Sequence, residues 1–212
     1  DTNSALNSFR EYAKRGIERF QKGDHDGAIA DLDKAAMYNN SQPLQQRGII
    51  LYCLGRYDCA ERQLNDDIRK LESMKFSKAV DLRLWRSAAL NKLGKFEEAK
   101  LALDVENRIG IPLVYQSLFM NTTLLFYHGD IPVDEMIDIV GDPRDNDLPG
   151  VHFFGNFFMG LYYDSIGEPM LAQAFLSIPS ESSRYPERDM WYQVPRFLYS
   201  QRFSESSAPI LL

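Results

Sequence analysis

At 212 residues, 44% hydrophobic and 25% charged, the chain has an ordinary globular composition, enough for one substantial core or one continuous array of repeats. A net charge of −6 and a pI near 5.1 argue against nucleic acid as a partner, because phosphate binding needs a basic face. No apolar run approaches the roughly 18 residues of a membrane span; the richest, Val151–Tyr163, is interrupted by His152, Gly155, Asn156 and Gly160.

The chain opens at Asp1 rather than methionine, which reads as a processed or trimmed form whose targeting peptide is missing. A spaced frame then recurs along it. Gly16, Gly23 and Ala28 return as Gly48, Gly55 and Ala60, and again as Gly160, Gly167 and Ala172. A further copy has Ser87 in place of the first glycine, followed by Gly94 and Ala99. Offsets of seven and then five residues, held in all four copies, are the signature of the tetratricopeptide (TPR) helix pair. The expected fold is therefore all-α, a TPR-type solenoid of about five helix pairs in a single domain, closed by a C-terminal capping helix.

Repeat one, about residues 9–40, sets Tyr12, Gly16 and Phe20 on one face of its first helix. Ala28, Leu32 and Ala35 form the answering stripe on the second. Small residues at 16 and 28 let the two helices approach, Gly23 ends the first, and Asp24 is placed to cap the second. Repeat two, about 41–74, uses Gly48 and Leu51, a Gly55–Asp58 turn, then Ala60 and Leu64. Gly48 follows Gly16 by 32 residues against a usual period of about 34, so the Asn39–Asn40–Ser41 link is short and Pro43 is expected to start the next helix.

Repeat three, about 77–109, is displaced, which implies that the helix before it is longer by about a turn near Glu72–Ser77. Leu84, Ala88 and Leu93, with Phe96, Ala99 and Leu103, are expected to complete that pair. Repeat four, about 112–140, is degenerate: a helix over Val114–Tyr127, a His128–Gly129–Asp130 turn and a short helix opened by Pro132. Gly141–Gly150 reads as an acidic loop. Repeat five, about 151–180, regains the pattern with Phe154, Phe157, Gly160, Tyr163 and Gly167, then Met170, Ala172 and Leu176. A capping helix over about 187–203 and a short tail, 204–212, complete the chain.

The residues that carry chemistry are few. Cys53 and Cys59 flank the Gly55 turn at positions expected to face solvent, and no bridge between them is expected. His25, His128 and His152 stand far apart without a second ligand at metal spacing, so no metal is expected. Asp142, Asp145 and Asp147 lack the loop order and closing glutamate of an EF-hand and read as a solvated acidic loop. Nucleophile elbows, phosphate-binding glycine loops and Walker patterns do not occur. Adjacent acids such as Glu97–Glu98 and Asp66–Asp67 diverge by about 100° on a helix. A non-enzymatic chain without a cofactor is the expectation.

Two surfaces are candidates for a protein partner. The first is the inner face of the leading helices: Arg10, Lys14, Ile17 and Gln21 in repeat one, with Gln42, Gln45, Gln46, Ile49 and Tyr52 in repeat two. Amide, basic and apolar groups together suit an extended peptide or a docked helix; an ordinary solvated face is the competing reading. The carboxylate clamp of TPR co-chaperones is absent, because its positions hold Ala13, Ile17, Gln46, Asp81 and Trp85. The second surface is aromatic. Phe154, Phe157 and Leu161 share a core face, which leaves Phe153, Phe158 and Tyr162 to project elsewhere as a candidate interface. Against that, the acidic loop or the last helix, with Trp191, Phe197 and Tyr199, covers them.

Beyond the generic repeat, Gln46–Arg47–Gly48 with Leu51–Tyr52 and Arg56–Tyr57, Leu84–Trp85 ahead of Leu90, and Gly160–Leu161–Tyr162–Tyr163 with Gly167 mark a more particular pattern. With Ser183–Arg184 and Asp189–Met190, this order of parts resembles a family of TPR-like proteins of plant and algal chloroplasts, over about Asp24–Arg202. In layout it is also similar to bacterial outer-membrane TPR lipoproteins that scaffold proteases and cell-wall hydrolases. The first resemblance implies a chloroplast scaffold, in the thylakoid lumen or at the membrane surface, docked on a larger multi-subunit complex such as a photosystem. The second implies a periplasmic adaptor that brings a protease or hydrolase to its substrates. A small-molecule or pigment accessory built on the aromatic cluster is a third reading, of another class.

Overall fold

The glycine frames become helix hairpins. In the computed structural model the described residues are 2–74, 79–104, 115–141, 149–182 and 190–203. They form eleven helices and, among them, no strand. The helices are α1 (Thr2–Gln21), α2 (His25–Tyr38), α3 (Gln45–Cys53), α4 (Tyr57–Ser73), α5 (Val80–Lys92), α6 (Phe96–Leu103), α7 (Tyr115–His128), α8 (Val133–Val140), α9 (Pro149–Ile166), α10 (Pro169–Glu181) and α11 (Met190–Phe203). Two compact units divide the chain: Asp1–His128, with α1–α7, and Gly129–Leu212, with α8–α11. The two helices expected as repeat four thus fall in different units, α7 packed on α5 and α6, α8 on α9. Residue 114, the acidic loop from 142 to 148, the start of the capping helix at 187–189 and the tail 204–212 lie outside the described residues, as do Ser183, Arg184 and Asp189.

One turn is used four times. Gly23, Gly55, Gly94 and Gly167 have φ of 81°, 74°, 73° and 86°, the left-handed region that glycine enters without a Cβ clash. The next residue donates its N–H to the carbonyl five positions back: Asp24 to Arg19, Arg56 to Leu51, Lys95 to Leu90 and Glu168 to Tyr163, each at 2.9 Å. This is the Schellman closure, which satisfies carbonyls orphaned at a helix end. That same residue's carbonyl then accepts from the frame's alanine, Ala28, Ala60, Ala99 or Ala172, as the first bond of the next helix. Seven-then-five spacing is thus the length of one helix end plus one helix start. Asp24 adds the expected cap, its side chain accepting from Gly27 N–H at 3.0 Å.

The first small residue of each frame sets how closely the paired helices approach. A Cβ on Gly16 would lie 2.7 Å from Leu32 Cγ, on Gly48 2.8 Å from Leu64 Cγ, and on Gly160 2.6 Å from Leu176 Cγ. These leucines, with Ala28, Ala60 and Ala172, have no exposed surface. Burying each leucine contributes about 1.5–3 kcal/mol. In the third frame the counterparts Ser87 and Leu103 are buried as well.

Several expected details shift. Helix α1 begins at Thr2, earlier than residue 9, because half-buried Ala5, Leu6 and Phe9 carry its apolar stripe backward at helical spacing. Pro43 does not start α3: Leu44 intervenes with a non-helical backbone, and its N–H donates to Asp67 Oδ1 at 3.1 Å. Leu93 and Phe96 are exposed rather than part of the third pair's core, whereas Leu84, Ala88, Ala99 and Leu103 are buried as expected. Met170 is also exposed, standing on the outer face of the α9–α10 turn. Pro149, expected in the loop, opens α9, where its missing N–H leaves no helical bond unmade. The lengthened helix before repeat three is α4, at 17 residues.

Arginines tie the helices to one another. Arg47 on α3 donates to Asp33 on α2 at 2.7 Å and to Gln63 on α4 at 2.8 Å. Arg86 on α5 reaches Glu61 on α4 at 2.8 Å, and Arg83 joins Glu72 to the Ala102 carbonyl near the end of α6. In the second unit Arg196 on α11 donates to the Ser180 and Ser182 carbonyls at 3.0 and 2.9 Å, closing the open end of α10.

Candidate functional site

The residues expected on the leading inner faces separate into three groups. Arg10 and Lys14 are exposed on α1, with Lys14 3.9 Å from Glu18. Ile17, Gln21, Gln42, Gln45 and Gln46 are half-buried. Ile49 and Tyr52, by contrast, have no exposed surface, so neither is available to a partner in this conformation. Every residue from Gly48 to Cys53 is buried, because α3 from Gly48 onward is enclosed by α4 and its other neighbours, while Gln45, Gln46 and Arg47 at its start are half-buried. A helical stretch apolar all round, as from Gly48 to Cys53, belongs to the interior. Tyr52 packs edge-on against Trp85 and against Tyr57, each at 5.2 Å between ring centroids.

The same enclosure corrects the cysteines. Cys53 is buried rather than facing solvent, Cys59 is half-buried, and neither is in a disulfide. Arg62 donates to Cys59 Sγ at 3.4 Å and to Asp58 at 3.0 Å on the exposed side of α4.

The aromatic expectation is corrected as well. Phe153 and Phe158 are buried, with about 3% of their surface exposed, and Tyr162 is half-buried. The last helix does the covering: Tyr192 on α11 sets its ring 4.9 Å from Phe153 and 6.3 Å from Phe154. Phe157 and Leu161 are core, as expected, and Phe154 is half-buried. Trp191, Phe197 and Tyr199, expected to provide the cover, are themselves only half-buried.

Three arrangements had no counterpart in the motif reading. The first is an ion pair inside the first hairpin. Asp31, almost fully buried on α2, accepts from Arg15 Nε and Nη2, both at 2.6 Å, and lies 3.3 Å from Arg19. The bidentate Arg15 contact holds the Asp31 carboxyl below its ordinary 3.8, against the opposing effect of burial and with help from the charges of Arg15 and Arg19. Its signal was present in the pattern, since Asp31 sits beside Leu32 within the Ala28–Ala35 stripe.

The second is a cationic aromatic stack on the outside of that hairpin. Tyr12 and Tyr38 lie parallel at 5.5 Å, with Arg15 4.8 Å and Lys34 5.6 Å from the Tyr12 ring. These residues are distant in sequence, and only the hairpin brings them together.

The third is a division of charge. Residues 1–128 hold 19 Lys and Arg against 17 Asp and Glu, a charge of +2; residues 129–212 hold 5 against 13, a charge of −8. Among the described residues of the second unit the lysine and arginine cations are Arg196 and Arg202. Arg196 is spent on the α10 carbonyls, and Arg202 lies 3.4 Å from the mostly buried Asp164. Asp134, Glu135, Asp138, Glu168 and Glu181 remain on the surface. A count along the sequence, split at residue 128, would have found this.

Among the described residues no group of three or more His, Cys, Asp and Glu side chains is arranged to hold a metal ion, and no helix is long and apolar enough to cross a membrane. Comparison with protein-family models, curated proteins and solved structures finds no match for the chain.

Proposed function

We propose that this chain is a non-enzymatic scaffold of the tetratricopeptide type, a peripheral subunit or assembly factor of a chloroplast complex at the thylakoid. What carries the scaffold reading is the repetition itself. Four hairpins share one turn and one hydrogen-bond closure, and three share a glycine packed on a leucine sixteen residues later. A chain that spends its distinctive residues on stacking helix pairs is built to present surface, and partner binding is what such surfaces do. The compartment rests on the resemblance of Gln46–Arg47–Gly48, Leu84–Trp85 and Gly160–Tyr163 to the chloroplast proteins.

Cross-linking mass spectrometry in isolated chloroplasts, paired with native gels of thylakoid membranes, tests both parts. The expected result is co-migration with a large complex and cross-links from Lys14 and Lys34 to one of its subunits. A stromal monomer with no cross-linked neighbour overturns the proposal. Recovery of a protease or hydrolase whose turnover changes when the chain is deleted replaces it with the adaptor reading.

A further inference from the structure

The outer face of α8 is unusual for a helix of eight residues. Only Met136 and Val140 are buried, against α9, while Ile137 is 46% exposed and Ile139 40% exposed. Asp134 and Asp138, one turn apart, form the outermost row, with Ile137 on one flank and Ile139 on the other. Exposed isoleucine beside exposed carboxylate is not a solvated face, which would be polar throughout, nor a core face. It is what one half of an amphipathic, charge-matched contact looks like.

The neighbouring surface has the same character. The α9–α10 turn exposes Ile166, Glu168 and Met170, the last at 60%. Tyr163, in the last turn of α9, is stacked on Phe175 of α10 at 5.7 Å and 10° between ring planes. The Tyr163 hydroxyl is raised above its usual range, first by burial and then by neighbouring charges that include Glu168 and Asp134. Helix α8 packs on α9, the helix that runs into this turn. No lysine or arginine among the described residues of this unit is left to neutralise Asp134, Asp138 and Glu168, since Arg196 and Arg202 are engaged elsewhere.

We infer that the outer face of α8 and the adjoining α9–α10 turn bind a basic amphipathic protein segment, its lysines or arginines meeting Asp134, Asp138 and Glu168 and its apolar side packing on Ile137, Ile139 and Met170. Charge complementarity selects this occupant. The patch lies in a unit of charge −8, so an acidic or neutral segment gains little there, whereas a basic one is steered toward it and held by exposed carboxylates set beside apolar surface. The inference rests on the scaffold reading and adds the chemistry of the partner to it.

The test uses the full chain and a synthetic 18-residue amphipathic peptide of lysine and leucine, read by fluorescence anisotropy at 50 and 300 mM salt. A glutamate–leucine peptide of the same length and pattern is the control. Micromolar binding of the lysine peptide is expected, with at least tenfold loss in D134N/E135Q/D138N and in I137S/I139S, and none to the control. Because Asp134 and Glu135 also support the N-terminus of α8, D138K/I139K leaves that first turn intact and is expected to abolish binding with an unchanged helical circular dichroism spectrum. Binding that survives D138K/I139K, or that I137S/I139S leaves untouched, overturns the inference. So does a concentration-dependent dimer that the same variants dissociate, which would assign the patch to a second copy of this chain. If D138K/I139K leaves the native cross-links in place, the scaffold stands and this surface is wrong; absence of any cross-linked partner removes both.

Discussion

Gly48 and Gly55 are both glycines of the same repeat, yet they are required for different reasons. Gly48 lies against Leu64, and a methyl there would sit 2.8 Å from Leu64 Cγ; Gly55 has open space around it and a φ of +74°. Gly48→Ala is expected to cost about 1–3 kcal/mol by overpacking, and a second substitution, Leu64→Ala, should couple favourably with it. Gly55→Ala is expected to cost about 1–3 kcal/mol by backbone strain, with no coupling to Leu64, and Gly55→Asn should cost less. Urea denaturation of the single and double variants separates the two; a similar coupling to Leu64 at both positions would refute the distinction. Buried aspartates diverge just as sharply. Asp31 is held below its ordinary 3.8, so its contribution is complete above 3.8 and is lost as pH falls through its folded value. Asp67 is pushed above 3.8 by burial, opposed by hydrogen bonds from Gln63 and Leu44, so stability falls as pH rises from 3.8 through its folded value. Denaturation between pH 2 and 7 should show D31N flattening the acid limb and D67N removing a decline above it; identical profiles for wild type and both variants would contradict the assignment. The place of Asp31 within the Ala28–Ala35 stripe marked its burial, but the opposite direction of the two shifts was not legible, because it depends on which groups lie across from each carboxylate.

At the scale of the element, the hairpin turn is where local sequence and observed structure agree most closely. Glycine, a Schellman closure and an alanine five residues on are all local chemistry, and the four frames fold alike whether the helices around them are short, as in α3 and α6, or long, as in α4 and α9. Agreement falls off where an end is closed from a distance. The C-terminus of α10 is satisfied by Arg196 from α11, 14 and 16 residues away along the chain from Ser182 and Ser180. Arg196→Ala is expected to destabilise the second unit by about 1–3 kcal/mol through two lost charge-assisted bonds. Arg196→Lys should recover less than half, since an ammonium cannot reproduce the fork. Hydrogen exchange at 178–182 and in α11 is the readout, and unchanged protection in Arg196→Ala would show that the bonds add nothing. Helix α3 marks the other failure. Its nine residues are polar at Gln45, Gln46 and Arg47, and the enclosure of Ile49, Tyr52 and Cys53 came from neighbours that the repeat pattern does not name.

For the whole molecule, the uneven charge matters more than the net charge. An overall −6 is unremarkable, but +2 and −8 on two compact units are not. Self-repulsion should weaken the second unit at low ionic strength and salt should relieve it, since the Debye length falls from about 30 Å at 0.01 M to about 8 Å at 0.15 M. Hydrogen exchange at 10 and 300 mM sodium chloride should therefore show protection rising more in α8–α11 than in α1–α6. An equal response in both units would mean that the excess charge is neutralised within the second one.

Taken alone, the amino-acid sequence determined the all-helical class, the four hairpin turns and the small residues at their crossings. These follow from contacts within one helix pair, where a positive φ favours glycine at each turn and close approach of the paired helices favours a small residue, glycine or serine, at the crossing. Tertiary structure decided which aromatic, cysteine and acidic side chains are buried, and it moved Tyr52, Cys53, Phe153 and Phe158 from expected surface to interior. It also left Ile137, Ile139 and Met170 outside. Periodicity states which residues share a face, but only the neighbouring helices decide whether that face meets water.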